Sequence, residues 1–293
     1  MKKNKLGVTL LTLSSILLMA GCSSESNQFV KKVARETGVT QKVKEKAKEK
    51  VNEFTEKKES KDTNKKQADH VTSTDFKATY DELSKKDFIT RNSIVLEVNG
   101  GKSTLNPDDF KGPKIEYSDL DELNRTGVAT AYLTKDNLGK SAGREGQTWN
   151  PTGWHNQAKK VAGKRVYPQN RGHLIAYTVT FNFDDDGNFK KGEDGSLDNP
   201  KNLFTQSTYS NQITFQKYEG MVRDALAKGH KVIYRVEPVF HGDEKMARGA
   251  WTQAISDDGS LNFNAYVYNV QPGITYNYAD GTSKVDNSML VND

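Results

Sequence analysis

The segment Asn170-Arg171-Gly172-His173 sets a titratable ring, a cation and a backbone-permissive residue directly against the apolar run Leu174-Ile175-Ala176. Histidine changes charge near neutrality, so His173 can take a proton from water. A cation two residues away, Arg171, favours the neutral and therefore basic imidazole. Gly172 admits a backbone conformation or a close approach that other residues resist. Further on, NPKNLFTQSTYSNQ carries Asn199, Asn202, Gln206, Asn211 and Gln212. Amide oxygens are hard ligands of the kind magnesium accepts while it keeps several waters. A base, a hard oxygen ligand for a divalent cation, and cations that hold a polyanion are what hydrolysis of a phosphodiester needs. By itself the Arg-Gly-His tripeptide is equally the polar edge of a strand. Asn199 before Pro200 is equally an N-cap.

These groups need rigid elements behind them. The apolar run after His173 reads as a strand that fixes the base. NSIVLEVNGGK alternates Ile94, Leu96 and Val98 and closes on Asn-Gly-Gly, the pattern of a hairpin. TGVATAYLTK alternates Val128, Thr130 and Tyr132 as another strand, and GKRVYPQNRGHLIAY is strand-like with a break at Pro168. The longest helical signal is DNPKNLFTQSTYSNQITFQKYEGMVRDALAKGHK. Its Phe215, Tyr218, Val222 and Leu226 recur at helical spacing, and Gly229 is a stop. KVIYRVEPVF and SDDGSLNFNAYVYNVQPGITYNY return to strands. Strands dominate around one substantial helix, which is an α+β class with a mainly antiparallel sheet.

The ends differ in kind from this body. Lys2, Lys3 and Lys5 precede an apolar run from Leu6 to Ala20, a length suited to a signal peptide and too short to span a bilayer. It ends in Met19-Ala20-Gly21-Cys22, which looks like a bacterial lipobox, so Cys22 is the expected lipidation site and residues 1–22 the signal. Residues 23–75 form a Lys/Glu-rich tether with few aromatics. Residues 76–293 are the expected folded domain. Cys22 is the single cysteine, so this domain has no disulfide to rely on. The formal charge of +5 misleads: residues 1–75 carry +6 of it, leaving −1 for the domain. Nucleic-acid binding is therefore argued from local pattern. Residues 140–173 hold Lys140, Arg144, Lys159, Lys160, Lys164, Arg165 and Arg171 against the single acid Glu145. Of these, Arg144, Lys164 and Arg165 are expected to meet substrate phosphates.

QNRGHLIAY, NPKNLFTQSTYSNQ and KYEGMVRDAL, in that order, resemble the DNA/RNA non-specific endonucleases of the ββα-metal (His-Me finger) group, closest to the streptococcal DNA-entry nuclease type. GREGQTWNPTGWHNQ, KVIYRVEPVF and LNFNAYVYNVQPG extend the resemblance over most of residues 125–285. It implies a ββα-metal motif on the antiparallel sheet and a magnesium-dependent endonuclease, with manganese able to substitute, acting on DNA; RNA stays open as a second substrate. It implies His173 as general base, Asn211 as direct metal ligand, and a 5′-phosphate product. Asn202, Gln206 and Glu219 match supporting polar residues, and Arg171 and Arg223 match substrate-holding or structural cations. The family motif usually begins with aspartate. Asn170 keeps the hydrogen-bonding shape and lacks the charge, which leaves its support of His173 or of the metal's water shell in question.

On an ideal helix Asn211 and Glu219 stand about 12 Å apart along the axis and about 80° around it. Glu219 is therefore expected to orient a metal-bound water or a basic side chain rather than ligate. Gln206 and Asn211 would be about 140° apart, so a turn or break is expected between them.

Other signals are weaker. Asn182, Asp184, Asp186, Gly187 and Glu193 have calcium-loop spacing with the wrong first residue and no flanking helices, so the stretch reads as a solvated acidic loop. Trp149 and Trp154 beside His155 read as core around Pro151, with base stacking as the alternative. Read together, the features describe a nuclease lipid-anchored at the outer face of a bacterial membrane. A non-catalytic surface lipoprotein that binds nucleic acid or another ligand is the alternative. A dedicated inhibitor protein would leave no mark in this sequence.

Overall fold

Period-two alternation divides the strands of the main sheet between two hydrophobic cores. In the computed structural model, which describes residues 73–142 and 144–292, the elements run in chain order as follows. Helix α1 (Ser73–Leu83) precedes β1 (Val95–Glu97), β2 (Lys114–Tyr117) and β3 (Ala129–Leu133). Two short hairpins' worth of strand follow: β4 (Lys159–Val161), β5 (Lys164–Val166), β6 (Gln169–His173) and β7 (Leu203–Ser207). A π-helical segment (Ser210–Phe215) leads into α2 (Gln216–Ala227). The chain closes with β8 (Val232–Val239), β9 (Gly249–Ser256), β10 (Asn262–Tyr268), β11 (Ile274–Asn277) and β12 (Thr282–Val285). The signal, Cys22 and the tether through residue 72 lie outside the described residues. Among the described residues no helix is long and apolar enough to cross a membrane.

Six strands form the main sheet in the order β1-β10-β9-β8-β3-β2, each pair antiparallel. This is the α+β, mainly antiparallel class read from the sequence. One face presents Ala129, Ala131, Tyr234, Val236 and Ala254 to the larger core, where Phe215, Val222 and Leu226 of the helical segment pack. The other face sends Trp251, Tyr266 and Val239 to a second core covered by Phe76, Tyr80 and Leu83 of α1. On that side the Arg235 guanidinium lies between the rings of Phe76 and Trp251, at 4.4 and 4.7 Å, and pairs with Glu237 at 2.6 Å. Helix α1 runs from Ser73 to Leu83, so the boundary drawn at residue 76 falls inside it.

Two local expectations are corrected and a third holds. Val95–Glu97 does not form a hairpin across Asn99-Gly100-Gly101; it pairs with β10, Val95 facing Val267, because a sheet edge from the far end of the chain supplies the better partner. The strand read from TGVATAYLTK is found as β3, with Ala129, Ala131 and Leu133 on its buried face. The front of the long helical signal, Leu203–Ser207, is a strand that is buried throughout, so tertiary pairing overrides helical periodicity there.

Candidate active site

The residues singled out around His173 lie within a strand, not ahead of one. β6 holds Gln169 to His173 and pairs antiparallel with β7, placing Asn170 opposite Gln206 and His173 opposite Leu203. Leu174, Ile175 and Ala176 are buried but irregular, so the apolar run anchors the strand's end without extending it. Asn202 makes that anchor. Its Oδ1 accepts from Ile175 N at 2.9 Å, its Nδ2 donates to Ile175 O at 3.0 Å, and it has no exposed surface. It acts on the backbone behind His173 and contributes nothing to the cleft. β7 is stitched to the main sheet by Asn269, whose amide bonds Ser207 N, Thr205 O and Ala247 O at 2.6, 3.0 and 2.9 Å.

β6, the segment before it, residues 176–178 and the helix after β7 enclose a cleft of about 610 Å³ whose walls include Arg144, Asn170, Arg171, His173, Asn211, Glu219 and Arg223. Gln206 lies in β7 and Asn211 in the helix that starts at Thr208, so the break expected between them is this strand-to-helix junction. The first helical turns are π-helical, a form that concentrates at functional sites and changes the angular step per residue. The ideal-helix angle between Asn211 and Glu219 therefore does not apply, and both side chains face the same cleft.

A chain of amides crosses the cleft floor. Asn170 Nδ2 donates to Asn211 Oδ1 at 3.0 Å, Asn211 Nδ2 to Gln206 Oε1 at 2.9 Å, and Gln206 Nε2 to Ser210 Oγ at 3.1 Å. Thr208 Oγ1 approaches Asn170 Oδ1 at 3.3 Å. Gly172 is what permits this: a Cβ there would overlap Gln206 Oε1 and come within 2.8 Å of the Gln206 Cβ.

His173 Nε2 lies 3.1 Å from Leu197 O. A carbonyl only accepts, so Nε2 carries the proton and Nδ1 holds the lone pair. The ring sits deep among protein atoms while the residue keeps an opening to the cleft. Burial pushes its pKa down to about 4; the Leu197 bond opposes this and the Arg144 charge assists. The cation that favours neutral imidazole is thus Arg144 and not, as the spacing suggests, Arg171. The Arg171 guanidinium is committed elsewhere: Nε donates to Trp149 O at 2.5 Å, Nη2 to Asn150 Oδ1 at 2.7 Å, and its face lies 4.5 Å from the Trp154 ring centroid. Asp198 holds that loop by accepting from Thr148 N and Trp149 N, both at 2.9 Å. Glu219 is only 14% exposed, with Arg223 at 3.6 Å. Burial pushes its carboxyl up to about 7, against the pull of Arg223 and then Arg144.

Lys164 and Arg165 are not brought to the cleft; they lie exposed on the β4–β5 hairpin. Trp149 and Trp154 are half-buried rather than core, and Trp154 lines the cleft. Its signal is the basic residues flanking GREGQTWNPTGWHNQ. The acidic loop is closed on itself, Asp184 Oδ1 accepting from Asp186 N and Asn188 N at 3.1 and 2.8 Å. His155 is exposed and does not line the cleft.

The donor set suits a magnesium ion. Asn211 offers one neutral oxygen on an oriented amide, and no three-carboxylate or histidine cage of the kind that holds calcium or zinc occurs in the cleft among the described residues. An ion bound this way leaves most of its positions to water and substrate oxygens.

Two antiparallel strands feeding a helix, with a strand histidine and a helix amide across one cleft, define a ββα-metal nuclease architecture. Residues 108–258 match the model of the DNA/RNA non-specific endonuclease family, and the chain belongs to that family. It is a nuclease. NucA from Streptococcus agalactiae, solved with magnesium ion bound, is 27% identical with a TM-score of 0.59, over 73% of this chain and 97% of that one. The same protein with no metal bound gives 26% identity and a TM-score of 0.58, over 73% and 98%. Sda1 nuclease with bound zinc ion shares the fold at 21% identity and a TM-score of 0.51, over 66% of this chain and 97% of that one.

Proposed function

We propose that this chain is a magnesium-dependent endonuclease that cleaves DNA, and RNA as a second substrate, without sequence preference. One observation carries the reading: a neutral His173 shares a cationic cleft with the oriented amide of Asn211. Asn211 Oδ1 would hold the magnesium, which when bound supplies charge neutralisation at the scissile phosphate and at the leaving oxygen. Manganese shares the preference for oxygen ligands and would substitute. His173 Nδ1 takes the proton from the attacking water. Arg144 and Arg223 hold phosphate oxygens, and Arg171, braced by Trp149, Asn150 and Trp154, presents a fixed cationic edge. Gln206 and Asn170 orient Asn211. Glu219 positions Arg223. Cleavage then leaves a 5′-phosphate. The magnesium-bound NucA supports the choice of ion. Contacts to phosphate rather than to base edges account for the lack of sequence preference.

The lipobox reading of residues 1–22 places the enzyme at the outer face of the membrane, held by lipid on Cys22 with residues 23–75 as spacer. The test is incubation of the full chain with circular DNA in magnesium or in EDTA. Nicking in magnesium alone is expected; its absence, or its persistence in EDTA, overturns the reading.

A further inference from the structure

The β4–β5 hairpin carries charge that the cleft chemistry does not use. Lys160 and Arg165 face each other directly across it, with Lys159 and Lys164 on either side. Like charges directly opposite destabilise a strand pair. Protecting a sheet edge from strand addition needs charge, but not two cations in register. Among the described residues none of these four forms an ion pair. No acidic residue occurs anywhere between Glu145 and Asp184 to offset them. The exposed Tyr167 ring lies 5.1 Å from the Arg165 guanidinium, which stacks over it.

The hairpin is also rigidly joined to the site. Its base is closed by Asn156 Oδ1, which accepts from Gln169 N at 3.1 Å, and both residues line the active cleft. Gln169 is fully buried, bonded to His155 N at 2.6 Å and to Gly281 O at 2.7 Å. Tyr167 O accepts from Thr208 Oγ1 at 2.6 Å, the same hydroxyl that approaches Asn170. Val161 packs against Gly273, seating the outer strand. The turn at Ala162 and Gly163 has positive φ at both residues, 46° and 81°, so the tip is tight rather than loose.

We propose that this hairpin is a phosphate-contacting arm that selects long duplex nucleic acid over short single strands; the inference rests on the nuclease reading above. Arg165 is six positions before Arg171. At about 3.3 Å per residue the arm reaches up to ~20 Å from the cleft. Duplex DNA carries one charge per ~1.7 Å of axis, both strands counted, so that span covers roughly twelve phosphates. A duplex is stiff over ~150 base pairs, so its backbone stands at a fixed distance from the arm once the scissile phosphate is seated. A flexible single strand loses conformational freedom to reach both places.

The test is binding without cleavage. Affinity of the full chain in EDTA is measured by fluorescence anisotropy for a labelled duplex of about 30 base pairs and a single strand of about six nucleotides, over a range of salt. Replacing Lys159, Lys160, Lys164 and Arg165 by alanine should weaken duplex binding at least tenfold. It should also reduce the salt slope by about 0.9 for each phosphate that the arm no longer neutralises. The short strand should change less than threefold. The charge-keeping pair Lys160→Arg and Arg165→Lys should bind duplex as the parent does. An unchanged duplex slope, or equal losses on both ligands, overturns the arm. A chain that binds duplex through the arm yet fails to nick DNA in magnesium overturns the nuclease reading and leaves the arm standing.

Discussion

Asn170 Nδ2 donates to Asn211 Oδ1 at 3.0 Å, so the amide oxygen available to a hard cation already accepts a hydrogen bond from the residue opposite Gln206. An aspartate at this position cannot donate. It would instead accept from Asn211 Nδ2, leave Oδ1 free, and add a negative charge near the ion. Asn170→Asp is expected to lower the magnesium concentration for half-maximal cleavage about three- to tenfold, a coupling of roughly 1 kcal/mol. A magnesium titration of plasmid nicking reads it directly, and an unchanged or raised requirement contradicts the orientation role.

Removing the base should remove the activity and spare the fold. His173→Ala is expected to cut cleavage by about 10²–10⁴ with unchanged circular dichroism. The base proposed here, His173, is neutral, because burial holds its pKa down at about 4. The acid limb of kcat/KM should therefore fall only as pH drops through about 4, well below the ordinary histidine range. A limb centred near 6.5 would show that His173 is solvated in the working enzyme.

Gly172→Ala forces a Cβ into Gln206. Overpacking of this kind costs about 1–3 kcal/mol, and here it also pushes the amide that orients Asn211. Urea unfolding should show the stability loss. Adding Gln206→Gly should recover part of the stability without restoring cleavage, because it removes both the Oε1 and the Cβ that the new methyl meets and does not return the orienting oxygen.

Glu219 has a folded-state pKa raised from 4.5 to about 7 by burial. A raised carboxyl means the folded state holds its proton more tightly. The associated stability is present below the unfolded pKa and is lost as pH rises through about 7. Glu219→Gln should thus match the parent near pH 4 and exceed it by about 1–2 kcal/mol above neutrality, part of the gain being offset by the unpaired Arg223. Thermal melts across this range check the sign, and a variant that is less stable at high pH reverses it.

The sequence carried the class of fold and brought out His173, Asn211 and Glu219, which line one cleft through local elements, a strand and the helix after its partner, with Gln206 buried behind Asn211. It did not carry the strand at Leu203–Ser207, whose spacing suits a helix and whose state is decided by pairing with β6. Asn202 resembles a site residue because its amide chemistry is that of a ligand; only the fold reveals that both its polar atoms are spent on Ile175. Arg144 replaces Arg171 as the cation acting on His173 for a related reason. Nearness in sequence puts Arg171 close by, but its guanidinium is tied to Trp149 and Asn150. Trp154 reads as core in the sequence because an aromatic near a tight turn satisfies either role until its exposure is known.

The connection 174–202 between β6 and β7 must close before the histidine and the amide can meet. Bringing its ends together costs on the order of 3 kcal/mol in chain entropy, recovered only when β7 docks on the sheet through Asn269. An unfolded chain therefore holds His173 and Asn211 but lacks the cleft that joins them. For a nuclease of a non-specific family, any nucleic acid beside the chain is out of its reach until that cleft has formed.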